Sequence, residues 1–227
     1  VFGVFVFNLG PMFMSFLYTF TEYDLLSPPS FVGLANYKQL FTDEIFGKSV
    51  VNTLYYAGVS LPLRLMLALL LASLLNMKLR GISIFRTLYY LPSITAGVAV
   101  ALLWQWAFEP RYGFVNYLLG LIGIKGPTWL GSTTWAMPAL IIMSLWSIGQ
   151  PMVIFLAGLQ GIPGELYEVA DLDGATRRQK FWHVTLPLLT PVIFFNLVTG
   201  VISSFQVFTQ VYVMTGGGPL RATTVYV

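Results

Sequence analysis

Side chains that act as nucleophiles or metal ligands are scarce in this sequence. The 227 residues include no cysteine and a single histidine, His183. A disulfide framework, a thiolate metal site and a cysteine nucleophile are therefore excluded, and a histidine-based metal cluster cannot form from this chain alone. No nucleophile–base pair is evident, so the sequence predicts no catalytic residue and no metal site.

One short segment resembles a nucleotide-binding loop but lacks a residue that such a loop needs. Gly47-Lys48-Ser49 matches the end of the phosphate-binding pattern, whose first glycine would fall at position 42, where Thr42 stands. The backbone cradle of that loop requires the missing glycine. We therefore expect a protein that is not an enzyme and that holds no cofactor of its own.

A row of polar side chains lies in the last long apolar segment. Its members recur every three or four residues, which places them within about 80° of arc on a helix. They are Asn196, Thr199, Ser203, Gln206 and Gln210. Polar groups in a membrane helix face a partner helix or a watery path. Hydrogen bonding between helices needs only one or two of them, so five on one face favour the lining of a cavity.

Two further polar features interrupt apolar segments. Arg64 falls near the middle of one, where an unpaired charge is costly. It is interpreted either as a contact for an acidic solute or its phosphate, or as a salt bridge or carbonyl contact with a partner subunit. Ser144, Ser147 and Gln150 precede Pro151, where proline can open a bend. We interpret this bend as a hinge, as part of the cavity, or as a kink that only serves packing.

The segment 161–191 predicts two short helices joined at a glycine. Pro163 suits a first helical turn, and Glu165 and Glu168 would lie near the positive end of the helix dipole. Gly174 can end this first helix in a left-handed conformation.

The second short helix is predicted to begin after Thr176, whose spacing from Gln179 is that of a capping box, and to be interrupted at Pro187. Three aromatic side chains of this segment have no obvious core: Tyr167, Phe181 and Trp182. A compact, rigid unit with both charge signs suits docking on a partner. The alternative is an amphipathic loop that lies on the membrane surface.

The same segment resembles the "EAA" coupling loop of ABC-importer permeases at every position of that pattern. The matching residues are Glu168-Val169-Ala170, Asp173-Gly174, Val184 and Leu186-Pro187. Val169 replaces the usual alanine and Val184 the usual isoleucine. Flanking segments resemble the carbohydrate-importing branch of the family, of maltose and glycerol-phosphate type: Arg86-Thr87-Leu88, Leu91-Pro92, Trp104, Trp106, Ala157-Gly158-Leu159-Gln160, Ile162-Pro163 and Thr215-Gly216-Gly217-Gly218-Pro219.

This resemblance implies a coupling role, partners and solute contacts. The first short helix would insert into a groove of a cytoplasmic ATPase subunit, and two such subunits would hold ATP and Mg. The coupling residues implied are Glu165, Glu168, Ala170, Asp173, Gly174, Leu186 and Pro187. The other partners implied are a second homologous permease subunit and an extracytoplasmic solute-binding protein. Alignment to the Gly-Gly-Pro landmark implies solute contacts at Ser203, Ser204, Gln206 and Val207.

Composition and apolar runs predict an all-α, polytopic membrane helix bundle. The chain is 56% hydrophobic and 9% charged, whereas a soluble domain carries roughly 25% charged residues. A spanning helix needs about 20 mostly apolar residues, and five segments qualify: 1–20, 50–75, 84–108, 135–159 and 188–214. A sixth is predicted to begin near Thr223, so we expect one permease domain, 1–227, with both ends incomplete and the coupling loop at 161–187.

Loop charges predict the orientation in the membrane. The turn 76–83 holds Lys78 and Arg80, and Arg86 follows, so the positive-inside rule places this turn in the cytoplasm. The loop 161–185 is then also cytoplasmic, whereas 21–49 and 109–134 lie outside. The net charge of +3 is scattered over loops and predicts no nucleic-acid partner. The predicted location is a bacterial or archaeal cytoplasmic membrane, in contact with lipid.

The function favoured by these observations is a translocation path for a carbohydrate-like solute, namely a sugar, oligosaccharide, polyol or glycerol phosphate. A partner ATPase would drive the import. The alternatives are an independent secondary transporter or channel and a membrane-bound enzyme. A secondary transporter is expected to have inverted repeats and intramembrane acids, whereas all nine Asp and Glu here fall in loops or at helix ends.

Overall fold

A computed structural model describes residues 2–24, 26–77 and 80–227. This part of the chain is predominantly helical and contains one short two-stranded antiparallel sheet, which confirms the all-α class. Val1 of the first predicted span and Lys78 of the basic turn lie outside the described residues. The chain forms two compact units, Val1–Lys48 and Ser49–Val227.

The first unit contains an apolar helix followed by a small polar cap. Its elements are α1 (Phe2–Tyr18), β1 (Thr21–Glu22), β2 (Ser30–Phe31) and α2 (Ala35–Thr42). The Asn36 amide donates to the carbonyls of Thr19 at 3.0 Å and Thr21 at 2.9 Å. These bonds satisfy backbone acceptors beyond the end of α1 and fix α2 against β1.

The remaining helices follow in chain order. They are α3 (Glu44–Leu75), α4 (Ile82–Ile94), α5 (Gly97–Ala107), α6 (Phe114–Leu121), α7 (Ala136–Ser147), α8 (Gly149–Gln160), α9 (Gly164–Leu172), α10 (Arg177–Phe205) and α11 (Thr209–Thr215). Among the described residues, α3 and α10 are each long and apolar enough to cross a membrane. The pairs α4–α5 and α7–α8 also qualify if each is counted as one bent span.

The third predicted span is therefore wrong as a single helix. Helices α4 and α5 meet at 98°, because Thr95 and Ala96 take extended conformations with ψ of 140° and 130°. The fourth span is bent by 46° at the junction of α7 and α8, just before Pro151. There Gly149 lies so close to α4 that a Cβ atom would collide with the Tyr89 carbonyl.

The fifth predicted span, 188–214, is also wrong in its second half. Helix α10 ends at Phe205, and α11 is a separate short helix. After this change of direction, Val207 and Val211 are buried in the core. A straight extension of α10 would not require their burial. The predicted sixth helix has not begun by Val227, since residues 224–227 are not helical.

Two buried clusters hold the second unit together. The first joins α3, α5, α7 and α11 through side chains such as Tyr56, Phe108 and Leu140. The second joins α3, α8 and α10, where Ala68 and Ala72 are fully buried against the larger residues of α8. Small residues one turn apart let membrane helices approach closely, and this packing positions α3, α8 and α10 around the cavity described below.

Candidate functional site

The first helix of the coupling loop has the two ends predicted from its sequence. Pro163 precedes α9 in an extended conformation, and Glu165 lies in the first turn. At the other end Gly174 has a φ of +75°. The Ala175 N–H donates to the Ala170 carbonyl at 2.9 Å, and the Gly174 N–H donates to the Asp171 carbonyl at 3.0 Å. This is a Schellman cap, which needs a left-handed residue at the position of Gly174.

The capping box at Thr176 is also confirmed. The Gln179 N–H donates to Thr176 Oγ1 at 3.4 Å, and the Thr176 N–H donates to Gln179 Oε1 at 2.8 Å. The predicted short second helix is wrong, however, because α10 continues from Arg177 through Pro187 to Phe205. A wide π turn, Phe181–Thr185, lies one residue before Pro187, and its extra residue accommodates the proline ring and its missing N–H.

Side chains fasten α9 to the start of α10. Lys180 Nζ pairs with Asp171 Oδ1 at 2.6 Å, and the Tyr167 and Thr185 hydroxyls are 2.9 Å apart. The carboxylate is largely exposed, so the ion pair contributes only about 0–1 kcal/mol. With both helix caps, these contacts make α9 and the first turns of α10 one unit, which we call the elbow.

The elbow exposes apolar side chains at other positions than expected. Tyr167 and Phe181, for which the sequence offers no obvious core, are half-buried, whereas Trp182 is exposed. Leu166, Val169 and Leu172 form an apolar ridge along α9, and Leu172 is 89% exposed. Such a ridge is costly in water and is typical of a surface that a partner covers.

A cleft of about 260 Å³ lies between the end of α9 and the π turn. Ala170, Asp173 and Gly174 line it together with His183 and Val184. The His183 Nδ1–H donates to the Gln179 carbonyl at 3.0 Å, which orients the imidazole. The structure thus brings together three of the predicted coupling residues. Of the others, Glu165, Glu168 and Pro187 are exposed and Leu186 is half-buried.

A second candidate site lies between α3, α8 and α10. Arg64, Gln150, Asn196, Thr199 and Ser203 line one cavity of about 70 Å³. These residues belong to three separate features of the sequence, and the packing of the helices brings them together. Arg64 Nε is buried without a hydrogen-bond partner in the part of the chain that the structure describes.

The remaining predicted path residues lie elsewhere. Gln206 is exposed at the end of α10, Val207 is buried in the first cluster, and Gln210 lies on α11, near Gly97. Because α10 ends at Phe205, the expected continuous stripe is broken after Ser203. Ser204 is 1% exposed and does not line the cavity.

The cavity offers several kinds of hydrogen-bonding group. Arg64 supplies donors, and the amides of Gln150 and Asn196 supply both donors and acceptors. Thr199 Oγ1 donates to the Phe195 carbonyl at 2.9 Å, and Ser203 Oγ donates to the Thr199 carbonyl at 2.8 Å. Each hydroxyl keeps acceptor lone pairs, so the set suits a solute with many hydroxyl groups. Among the described residues, no cluster of His, Asp and Glu could hold a metal ion.

Comparison with known sequences gives a consistent result. Residues 64–226 match the family "Binding-protein-dependent transport system inner membrane component". The chain is 45% identical over 231 residues to the probable ABC transporter permease YesP of Bacillus subtilis, covering 100% of this chain and 74% of that protein. It is 37% identical over 195 residues to the trehalose/maltose transport system permease MalF of Thermococcus litoralis, covering 86% of this chain and 66% of that protein.

A solved structure shares the fold. A chain in the crystal structure of a bacterial alginate ABC transporter, in complex with alginate pentasaccharide-bound periplasmic protein, has a TM-score of 0.82 to this chain. The two are 28% identical, and the match covers 97% of this chain and 74% of that chain. The family match, the relatives and this shared fold lead to one conclusion: the chain belongs to the inner-membrane components of binding-protein-dependent transport systems, among the sugar-type ABC-importer permeases.

Proposed function

We propose that this chain is one transmembrane subunit of an ATP-driven importer. Its cavity lines the path of a carbohydrate-like solute, and residues 161–187 couple that path to a cytoplasmic ATPase. The proposal depends above all on one observation: the elbow is internally fastened, exposes an apolar ridge, and is continuous with the helix that lines the cavity.

That continuity gives a mechanical basis for the coupling. Helix α10 runs from Arg177 to Phe205 without a break. With a rise of about 1.5 Å per residue, the 16 steps from Lys180 to Asn196 correspond to about 24 Å. A displacement of α9 by a closing ATPase is therefore carried to the cavity wall through this one continuous helix.

The ridge is the proposed contact with the ATPase. A helix that lays its apolar face into a groove on a partner is a common recognition mode. Asp173 and His183 line the cleft beside Gly174, and Asp173 directly follows Leu172 of the ridge, so these polar groups could fix the register of docking. ATP and Mg are held by two such ATPase subunits, and this chain contributes no residue to hydrolysis.

The remaining partners complete the transport path. The structurally similar alginate transporter was solved with a periplasmic protein that carries its oligosaccharide. By analogy, an extracytoplasmic solute-binding protein delivers the solute to this chain, and a second homologous permease supplies the other half of the path. We place the assembly in the cytoplasmic membrane of a bacterium or archaeon, with the elbow in the cytoplasm.

The proposed solute is a sugar, oligosaccharide, polyol or glycerol phosphate. The cavity residues on α8 and α10 provide neutral donors and acceptors that suit hydroxyl groups. Arg64 adds a positive charge on the opposite wall, on α3. In a low-dielectric setting a charge is stabilised by a partner of opposite sign, which an acidic solute or the second permease would supply.

Purification of the full-length protein from its native membrane in mild detergent, followed by mass spectrometry, tests the assembly. We expect to recover a Walker-motif ATPase and a second permease. Recovery of the chain alone, in repeated preparations that keep other membrane complexes intact, would contradict the importer assignment and favour an independent transporter.

A further inference from the structure

A cleft beyond the end of α5 combines positive charge with aromatic rings. It has a volume of about 460 Å³, and its lining includes Arg111, Lys125, Trp106, Tyr112 and Tyr117. All five side chains are exposed. No acidic side chain among the described residues forms an ion pair with either cation, so both remain available to an anionic ligand.

The loop that forms this cleft is held closed by one side chain. The Asn116 amide donates to the carbonyls of Pro110 at 3.1 Å and Pro127 at 3.2 Å. Its oxygen accepts a hydrogen bond from Trp129 Nε1 at 2.7 Å. Asn116 thus joins both ends of the loop to the start of α6, which keeps Arg111 and Lys125 on the same cleft.

Two glycines of the lining permit this closure. A Cβ atom at Gly113 would collide with the backbone of Ala107 and Glu109, and one at Gly126 would collide with the Asn116 side chain. Only a residue without a side chain lets the chain pass so close at either point. The cleft is therefore a built feature of the fold, formed before any ligand arrives.

An apolar cleft adjoins the charged one. It has a volume of about 550 Å³, lies between α5, α6 and α7, and is lined entirely by apolar and aromatic residues, among them Leu103, Leu118, Ile142 and Trp146. Phe114 lines both clefts, so the charged end and the apolar end meet at this residue.

We propose that the two clefts together bind one anionic phospholipid of the surrounding membrane. Its headgroup lies against Arg111 and Lys125, and an acyl chain lies in the apolar cleft beside α6. Trp and Tyr prefer the membrane–water interface, which is the depth that this arrangement gives to Trp106, Tyr112 and Tyr117. An acidic protein partner would account for the cations but would leave the apolar cleft between α5, α6 and α7 unfilled.

The assembled importer, reconstituted in nanodiscs of equimolar phosphatidylglycerol and phosphatidylcholine, provides the test. After extraction from the discs, native mass spectrometry measures which lipids stay bound. One Lys or Arg near the membrane surface strengthens the binding of an anionic lipid by roughly fivefold. We therefore expect the double variant Arg111→Gln/Lys125→Gln to reduce the amount of retained phosphatidylglycerol by at least that factor. Lys38→Gln is the matched control, because Lys38 is an exposed cation in the other unit.

A second variant tests the acyl-chain half of the site. Leu103→Trp places a larger ring in the apolar cleft and is expected to reduce retention of both lipids. Unchanged phosphatidylglycerol retention in the Arg111/Lys125 double variant, or an equal loss in the Lys38 control, overturns the proposal. Unchanged retention with weaker stimulation by the solute-binding protein would assign the cations to that protein instead.

Discussion

Replacement of Gly174 gives a graded test of the elbow. Gly174 has a φ of +75°, and no atom lies within 4 Å of a Cβ added there. The cost of a side chain therefore comes from the backbone conformation alone. For an ordinary L-residue this cost is about 1–2 kcal/mol, which lowers the population of the capped elbow, relative to uncapped forms, by roughly 5–30-fold.

Three variants separate the backbone effect from charge. Gly174→Val pays the full conformational cost, whereas Gly174→Asn is far milder because asparagine tolerates the left-handed region. Gly174→Asp has a similar backbone tolerance but adds a negative charge to the cleft beside Asp173. We expect Gly174→Val to raise the ATP hydrolysed per solute imported several-fold, Gly174→Asn to remain near the parent value, and Gly174→Asp to fall between them.

The assay is simultaneous measurement of ATP hydrolysis and solute uptake in proteoliposomes that contain the complete importer. Gly33→Val is the matched control, since Gly33 has a φ of +63° in the first unit, outside the elbow. Normal coupling in Gly174→Val, or coupling that is worse in Gly174→Asn than in Gly174→Val, would refute the reasoning.

The remaining predictions concern the ridge and the cavity. Leu172→Arg removes an apolar contact worth about 1.5–3 kcal/mol, so co-purification of the ATPase should weaken by at least tenfold, whereas Leu26→Arg, at a residue 94% exposed in the first unit, should leave it unchanged. Ser203→Ala removes a hydroxyl from the cavity and should raise the KM for uptake about fivefold, the effect of roughly 1 kcal/mol. Ser204→Ala should leave the KM unchanged, because the Ser204 hydroxyl is buried outside the cavity. Equal effects of the two variants would contradict the assignment of the cavity as the solute site. Arg64→Gln should lower either uptake or co-purification of the second permease, and if both stayed at parent levels both interpretations of Arg64 would be wrong.

The local geometry of the elbow is predictable from sequence because helix caps depend on a few neighbouring residues. The left-handed Gly174 and the Thr176–Gln179 box follow from residue types alone. The continuity of α10 through Pro187 is not predictable in this way. A proline is expected to interrupt a helix, and the π turn that accommodates it becomes visible only in the structure.

The bends and the cavity depend on tertiary packing. The break at Thr95–Ala96 lies inside a continuous apolar run, and hydropathy does not distinguish a bent helix pair from a straight span. Likewise, Arg64 and Asn196 were each recognisable as unusual polar residues, but their shared cavity depends on how α3 and α10 pack. Gln206 and Gln210 do not line that cavity, because α10 ends at Phe205 and the single helix that their spacing predicts is replaced by a turn and a second short helix.

Cysteine cross-linking tests the docking of the elbow most directly. The 227 residues contain no cysteine, so Leu172→Cys introduces the only thiol within this part of the protein, at the most exposed position of the ridge. After treatment of native membranes with a short thiol-to-amine cross-linker, we predict a covalent product that mass spectrometry identifies as this chain joined to a Walker-motif ATPase, and no such product from Leu26→Cys. Absence of an ATPase cross-link from Leu172→Cys, in membranes where import is active, would contradict the account.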